Sequence, residues 1–378
     1  MQQISAIMGT YINIGNSGFD SARRSEYVDY NKSLEIMTIS IIIPVYQVAN
    51  YIERCISSVM RHTYSHSMIE CILVDDCGTD NSIILAQKCI DNYKGNMHFR
   101  FIHNEQNCGL SVSRNNGMKI AKGDYIFFLD SDDYISDDCI EKLMYAICEN
   151  PEVEVVKGNH TNRRRNNKTI ISAHIPSSII EKKELMKLYF LGYIPCMAWN
   201  TLISKKLIER GHLKFMPHLI YEDELWSFYL FRETNSFMFI TDITLYYELN
   251  PHSIIHSEQK NEELHIRSLI IILKDLQNHI ERRYYEGLII YMISMILRLM
   301  DRIKKNRDCH ALTSEVNAIR NSITKQTLSD FRLILFVFSL IMYQPFINIF
   351  KLKFFRHKYH KASCYVYELA SFFSRKIQ

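Results

Sequence analysis

The 378-residue chain contains no Cys-x-x-Cys pair, although it has ten cysteines, at 55, 71, 77, 89, 108, 139, 148, 196, 309 and 364. That argues against a zinc framework, and cysteines inside apolar patterns behave as small hydrophobes. The usage fits a reducing compartment. The first 36 residues lack the basic start and apolar run of a secretory leader, so the main part is expected in the cytoplasm. No serine or cysteine sits in a recognisable nucleophile elbow, and the stretch after the first predicted strand, "PVYQVANYIE", has neither glycine nor lysine. The first absence argues against a covalent intermediate and the second against a triphosphate-binding loop. Net charge is a mild +4, with 47% hydrophobic and 23% charged residues, ordinary values for a folded protein rather than a disordered one. The length suggests one large domain with an addition.

From Met37 onward strand and helix signals alternate. "TISIIIPVY" (38–46) is a β-branched run that reads as a strand buried on both faces and stopped by Pro44. "NYIERCISSVM" (50–60) has helical spacing, with Asn50 as N-cap and Glu53 three residues on. "IECILVDD" (69–76) is a second strand ending in acids, followed by a helix capped by Asp80. "FRFIH" (99–103) is a third strand, "SVSRNNGMKIA" (111–121) a third helix, and "YIFFLDSDDYIS" (125–136) holds a fourth strand. The alternation predicts an α/β fold with a mostly parallel sheet, whose ligands bind beyond the carboxyl ends of the strands.

Two of those ends are acidic: Asp75 and Asp76 close the second strand, and Asp130, Asp132 and Asp133 follow the fourth. Carboxylates clustered at the tip of an apolar strand repel one another, and a divalent cation is the natural compensation. Hard oxygen ligands in a short D-x-D spacing suit Mg²⁺ or Mn²⁺, which shares its ligands with a substrate phosphate. The plainer alternative is that Asp132 and Asp133 open a loop or cap the next helix, "SDDCIEKLMYAI" (136–147).

"SIIIPVYQVANYIERCISSVMRHTY", "ILVDDCGTDNS", "NCGLSVSRNNGMKIAKGDYIFFLDSDD" and the later "PHLIYEDELW" occur in that order. Over about 37–256 the chain closely resembles family 2 glycosyltransferases with a GT-A fold, of the type that builds bacterial surface polysaccharides. The resemblance implies that Pro44, Val45 and Tyr46 line a nucleobase pocket, with Asp76 and Asp75 accepting from the base. It implies that Gly109, Leu110 and Arg114 close over ribose and diphosphate. Asp130 and Asp132 would be the D-x-D pair holding ribose and metal, with Ser131 between them on the donor side. Asp223 matches the catalytic base, with Glu222 beside it and Trp199 on the acceptor side, the latter with a packed core aromatic as its alternative. Such a set supports inverting, metal-dependent transfer from a nucleotide sugar, by family habit UDP-hexose, to a saccharide hydroxyl. A degenerate, non-catalytic sugar-nucleotide or membrane-binding protein and a nucleotidyltransferase are the competing readings.

The chain departs from the family pattern in three places. Gln47 stands where asparagine is usual, and Cys77-Gly78 replaces Gly-Ser, which can shift a positive-φ position along the turn. In "LYYELNPHSI" (245–254), Glu248, Leu249 and Asn250 occupy the place where related enzymes carry arginine; His252 and His256 are further contact candidates. "NRRRNNK" (162–168) has no interleaved aromatics and reads as a solvated turn, not a nucleic-acid site.

Residues 1–36 lie outside this pattern. "GTYINIGNSGFDSARRSEYVDYNKS" (9–33) resembles the opening of a bacterial ATPase-like family, but no phosphate loop follows, so Met37 is the expected functional start. A helical extension is expected over 257–330 and a basic amphipathic tail over 331–378. Residues 333–350, "LILFVFSLIMYQPFINIF", carry no charge, and 351–378 hold seven Lys/Arg against Glu368 alone. That pattern suits a segment lying in the interface of an anionic membrane, with a spanning helix and a buried core helix as alternatives. The resemblance adds a polyprenyl-diphosphate-linked acceptor at the inner face of the cell membrane, with no nucleic-acid partner.

Overall fold

The computed structural model describes residues 37–162, 175, 178–250, 262–279 and 285–327. The N-terminal stretch, the 163–168 basic run, His252, His256 and the 331–378 tail lie outside them.

The first strand, β1 (Ile39–Val45), is buried at all seven positions. It pairs in parallel with β2 (Ile69–Asp75) on one side and β4 (Tyr125–Phe128) on the other, and β2 pairs in parallel with β3 (His98–His103). Ile39, Ile41 and Ile43 enter one core layer while Ile42 enters the opposite one, so both faces are covered, as the unbroken apolar run predicts. Pro44 does not stop this strand; it lies within β1, opposite Val74. The Ile42 carbonyl bonds to the β4 side (Leu129 N, 3.1 Å) and the Val45 carbonyl to the β2 side (Asp76 N, 3.0 Å). By that alternation position 44 faces β4, whose pairing has ended at Phe128. The missing N–H therefore costs no ladder bond.

Helices α1 (Ile52–Met60), α2 (Ser82–Asp91) and α3 (Leu110–Ile120) alternate with these strands. The α1 N-cap is Tyr51 rather than Asn50, and it makes no side-chain cap. The α2 N-cap is Asn81 rather than Asp80, but Asp80 accepts from Ser82 N (3.1 Å) and from Ala49 N (2.9 Å), tying that helix to the β1–α1 turn. A Cβ at Gly117 would meet Ile42 Cγ2 at 2.4 Å, so this glycine lets α3 lie directly on β1.

Asp132 and Asp133 lead into β5 (Tyr134–Ile135), and α4 (Cys139–Glu149) begins only afterwards, so neither acid caps it. The remaining elements are β6 (Val155–Asn162), β7 (Ile180–Glu181), α5 (Lys182–Phe190), β8 (Thr201–Ser204), α6 (Lys205–Arg210), α7 (Glu222–Glu233), β9 (Ser236–Tyr247), α8 (Glu262–Asn278), α9 (Tyr285–Lys305) and α10 (Thr313–Thr327). The sheet runs β3-β2-β1-β4-β8-β6-β9-β5, with β7 on β9. β8 is antiparallel to both β4 and β6, so the parallel set continues into a mixed half. The α/β expectation, with a helical region toward the C-terminus, holds. Residues of α8, α9 and α10 join the same apolar cluster as α5, α7 and one face of the sheet.

Candidate active site

The registers Val45↔Asp75 and Asp75↔His103 align the carboxyl ends of β1, β2 and β3 on one rim, and Leu129-Asp130 leaves β4 beside them. Tyr46, 44% exposed, is the residue of the Pro44–Tyr46 trio that presents a face to solvent; Pro44 and Val45 are buried behind it. Asp75 accepts from Cys77 N (3.1 Å) and pairs with His103 Nδ1 (2.9 Å). Asp76 is buried and takes N–H donors from Asn104 Nδ2 (2.7 Å), Cys108 (2.8 Å) and Gly109 (2.8 Å). The Asp76 carboxylate thus fixes the turn that delivers Gly109, at φ +84°, and half-buried Leu110 to the start of α3. The positive-φ position stays at Cys77 (φ +57°) rather than moving to Gly78, and its thiol contacts the Asn104 carbonyl (2.8 Å). Gln47, also at positive φ (+55°), donates to Thr79 Oγ1 (2.8 Å).

Arg114 is the centre of the site. Its side chain is fully buried, with Nη2 on Asp130 Oδ1 (2.8 Å) and Nη1 on both Glu222 Oε1 (2.8 Å) and Asp223 Oδ1 (2.9 Å). The guanidinium lies 5.0 Å from the Phe215 ring centre, and Phe215 in turn stacks on Trp226 at 4.1 Å. One cation therefore joins the D-x-D strand end to the acids that open α7. Tyr221 takes φ +65° at the α7 N-cap, which turns Glu222, Asp223 and Glu224 into the first helical turn, where the helix dipole favours negative charge. Burial raises Asp223 above the usual carboxylate range, Arg114 opposes that rise, and Asp130 adds to it. Glu222 is also raised, by burial and then by Asp223. The three carboxylates hold Arg114 firmly protonated against its own burial.

The second and third acids after β4 are treated differently. Asp132 is pushed up to about 6 by burial and by Asp130, and its Oδ2 accepts from Asn250 Nδ2 (3.2 Å). Asp133 is raised well above the usual range by burial, accepts from Glu248 N (2.8 Å) at Oδ1, and leaves Oδ2 buried without a protein donor. Ser131, between Asp130 and Asp132, is buried.

After the β9 tyrosines, where the family pattern has arginine, the chain carries Glu248 and Asn250. In the fold those residues face the D-x-D loop. Glu248 pairs with Arg54 of α1 (2.8 Å), whose Nη2 also donates to the Asp132 carbonyl (3.3 Å) and whose guanidinium covers the Tyr134 ring at 4.5 Å. The cation thus arrives from a helix about two hundred residues earlier in the chain. Nothing in the local motif marks it. Trp199, 4% exposed, packs edge-on to His160 (4.8 Å) and stacks with Tyr247 (6.1 Å), so it is a core aromatic under the site.

Among the described residues no group of three or more His, Cys, Asp or Glu side chains is arranged to hold a metal ion. Asp130 and Asp132 supply two carboxylates. That number fits Mg²⁺ or Mn²⁺, which keeps waters and completes its shell with substrate phosphate. Burial first, and Asp130 second, raise Asp132; a bound cation would offset both, and the donor set is all oxygen.

Residues 40–211 match the family described as Glycosyl transferase family 2. The uncharacterized glycosyltransferase EpsJ of Bacillus subtilis is 31% identical over 228 residues, which is 58% of this chain and 63% of that protein, so this chain spans less than two thirds of that relative's length. The crystal structure of S. aureus TarS 1-349 in complex with UDP-GlcNAc aligns with TM-score 0.55 at 18% identity, covering 71% of this chain and 73% of the other. The mannosyltransferase PcManGT from Pyrobaculum calidifontis, in complex with GDP-Man and Mn²⁺, aligns with TM-score 0.51 at 12% identity, covering 80% and 87%. The chain is thus similar to family 2 glycosyltransferases of the bacterial surface-polysaccharide type and shares their GT-A α/β architecture.

Proposed function

We propose that this chain, whose residues 40–211 carry the family 2 glycosyltransferase match, transfers a sugar with inversion from a UDP-hexose to a hydroxyl of a lipid-linked saccharide. The observation that carries the reading is Arg114, which touches Asp130 on one side and Asp223 and Glu222 on the other. It brings a donor-side strand end and a separate carboxylate within reach of one bound molecule. The UDP-GlcNAc and GDP-Man complexes of the structural neighbours support a nucleotide-sugar donor.

In this reading Tyr46, with Pro44 and Val45 behind it, lies against the base, near Asp75 and Asp76. The Gly109–Leu110 turn and Ser131 border the ribose and diphosphate. Asp130 and Asp132 would hold Mn²⁺ or Mg²⁺, which when bound supplies Lewis-acid stabilisation to the departing diphosphate. Asp223 accepts the proton of the acceptor hydroxyl as that oxygen attacks the anomeric carbon opposite the leaving group. The new C–O bond forms as the bond to the diphosphate oxygen breaks, so configuration inverts in one displacement and no covalent nucleophile is used. Arg114 keeps Asp223 ionised against its burial and orients Asp130. Glu222, also raised, lies on the acceptor side and shares the same guanidinium, with Trp199 packed beneath.

The catalytic domain in this reading is 37–256 and the helical extension 257–330. The 331–378 tail would hold the enzyme against the anionic inner face of the cell membrane, where a polyprenyl-diphosphate acceptor resides. The seven basic residues of 351–378 support that, each worth about 1 kcal/mol near an anionic surface.

The test is Asp223→Asn, which removes the base but keeps a side chain able to sit beside Arg114. UDP binding should stay close to wild type while turnover falls by roughly 10²- to 10⁴-fold. Undiminished turnover would show that Asp223 is not the base.

A further inference from the structure

Behind Asp223 lies a second buried cation that the reaction scheme does not use. Lys157 stands on β6, opposite Thr201 of β8 and Phe239 of β9, and is 1% exposed. Its ammonium donates to the Met197 carbonyl (2.7 Å), the Trp199 carbonyl (3.2 Å) and Thr201 Oγ1 (2.8 Å). All three acceptors are neutral oxygens. A buried charge held only by neutral partners is costly, and an apolar side chain of similar length would fill the space without that cost.

The two carbonyls that Lys157 holds flank one residue, Ala198, whose backbone amide favours the ionised form of Asp223. The same segment is pinned from the other side by Ser227 of α7, which donates to the Cys196 carbonyl at 2.6 Å. A four-residue stretch, Cys196–Trp199, is therefore clamped between β6 and Ser227, which lies one turn beyond Asp223 on α7. The charged groups acting on Asp223 include Arg114 from α3, Asp130 from the end of β4, and Lys157, with Glu222 and Glu224 on its own helix. Around Lys157 the titratable neighbours are Asp223, Cys196 and His160.

We propose that Lys157 is a positioning residue for the base. Its ammonium fixes the Met197 and Trp199 carbonyls on either side of the Ala198 amide, and its charge favours the ionised carboxylate. The inference rests on the reading of Asp223 as the base, and it adds a residue that never meets the substrates. Burial already lowers Lys157 to about 8, so the clamp is expected to loosen as pH rises through that value.

The experiment uses the full chain and three variants, Lys157→Met, Thr201→Val and Asp223→Asn. The Asp223 carboxyl is followed by carbon-13 NMR titration of protein labelled at aspartate, with Asp223→Asn supplying the assignment. UDP release from UDP-GlcNAc with Mn²⁺ is measured in parallel. Lys157→Met should raise the Asp223 midpoint by about 1 pH unit, the effect expected on losing a nearby opposite charge. It should lower kcat by roughly tenfold while leaving donor KM and UDP affinity near wild type, as expected when only the base is misplaced. Thr201→Val, which removes one acceptor and keeps the volume, should shift both in the same direction by less. It decides the matter if Lys157→Met does not fold. An unmoved Asp223 midpoint in Lys157→Met, or in Thr201→Val where the first variant does not fold, overturns the role of Lys157. Full turnover in Asp223→Asn would instead sink the assignment of the base, a separate outcome, and the titration would still report whether Lys157 acts on that carboxylate.

Discussion

A guanidinium with no exposed surface among three carboxylates answers the problem posed by the acids after β4: Arg114 neutralises part of the cluster from within, and the remainder stays negative. Replacing it by methionine would leave Asp130, Glu222 and Asp223 facing one another in a buried space. The expected loss is about 3–5 kcal/mol of stability, the usual cost of breaking a buried ion pair by removing one partner. Thermal and urea unfolding of Arg114→Met would measure it, and an unchanged midpoint would refute the hub. Asp132 belongs to this scale too. Its folded pKa, raised to about 6, means that the carboxylate is ionised above that value and protonated below it. A cation must displace that proton, so Mn²⁺ affinity should fall by about tenfold per pH unit below pH 6 and stay level above it. Calorimetric titration at several pH values checks this, and an affinity flat down to pH 5 would remove Asp132 from the metal site. The acids were legible in the sequence because they interrupt apolar strands. The arginine's role was not, because its partners lie 16, 108 and 109 positions away. Lys157, inside the ordinary strand run "VEVVKGNH", gave no signal at all.

Among the elements, the parallel strands and the helices between them follow the sequence pattern to within a residue or two, since each is set by local periodicity. Pro44 misleads because the effect of a proline depends on which side of the strand is paired, a fact of sheet order rather than of sequence. The turn at 76–80 shows a similar limit: Cys77 keeps the left-handed conformation although the next residue is glycine, the thiol being held against the Asn104 carbonyl. At the β9 end Glu248, Leu249 and Asn250 stand where the family pattern has arginine. The pairing of Glu248 with Arg54 of α1 brings a cation to that rim from another element, and Asn250 bonds to Asp132. Helix α7 carries the proposed base in its first turn, and neighbouring helices hold that turn in place. His265 of α8 pairs with Tyr221 (3.0 Å), Ser268 Oγ accepts from Ile220 N (3.1 Å), and the Tyr291 hydroxyl of α9 bonds to Glu224. The C-terminal helices therefore reach the site through the backbone and side chains that flank Asp223.

At the scale of the whole molecule, one sheet divides two apolar layers, and the layer that contains α7 also contains α8, α9 and α10. No helix among the described residues is long and apolar enough to cross a membrane. The proposed membrane contact falls on the 331–378 tail, so deleting those residues should release the protein from vesicles rich in anionic lipid while leaving UDP binding intact. Co-sedimentation checks this, and undiminished vesicle binding by the shortened chain would refute it. The central claim is that the acidic rim beyond β4 receives a nucleotide diphosphate together with a divalent cation, and calorimetric titration of UDP, GDP and dTDP into the full chain, with and without Mn²⁺, tests it most directly. The account predicts that one nucleotide binds, only when Mn²⁺ is present, and that Asp132→Ala abolishes the heat. Absence of binding by all three nucleotides, with and without the metal, would contradict it.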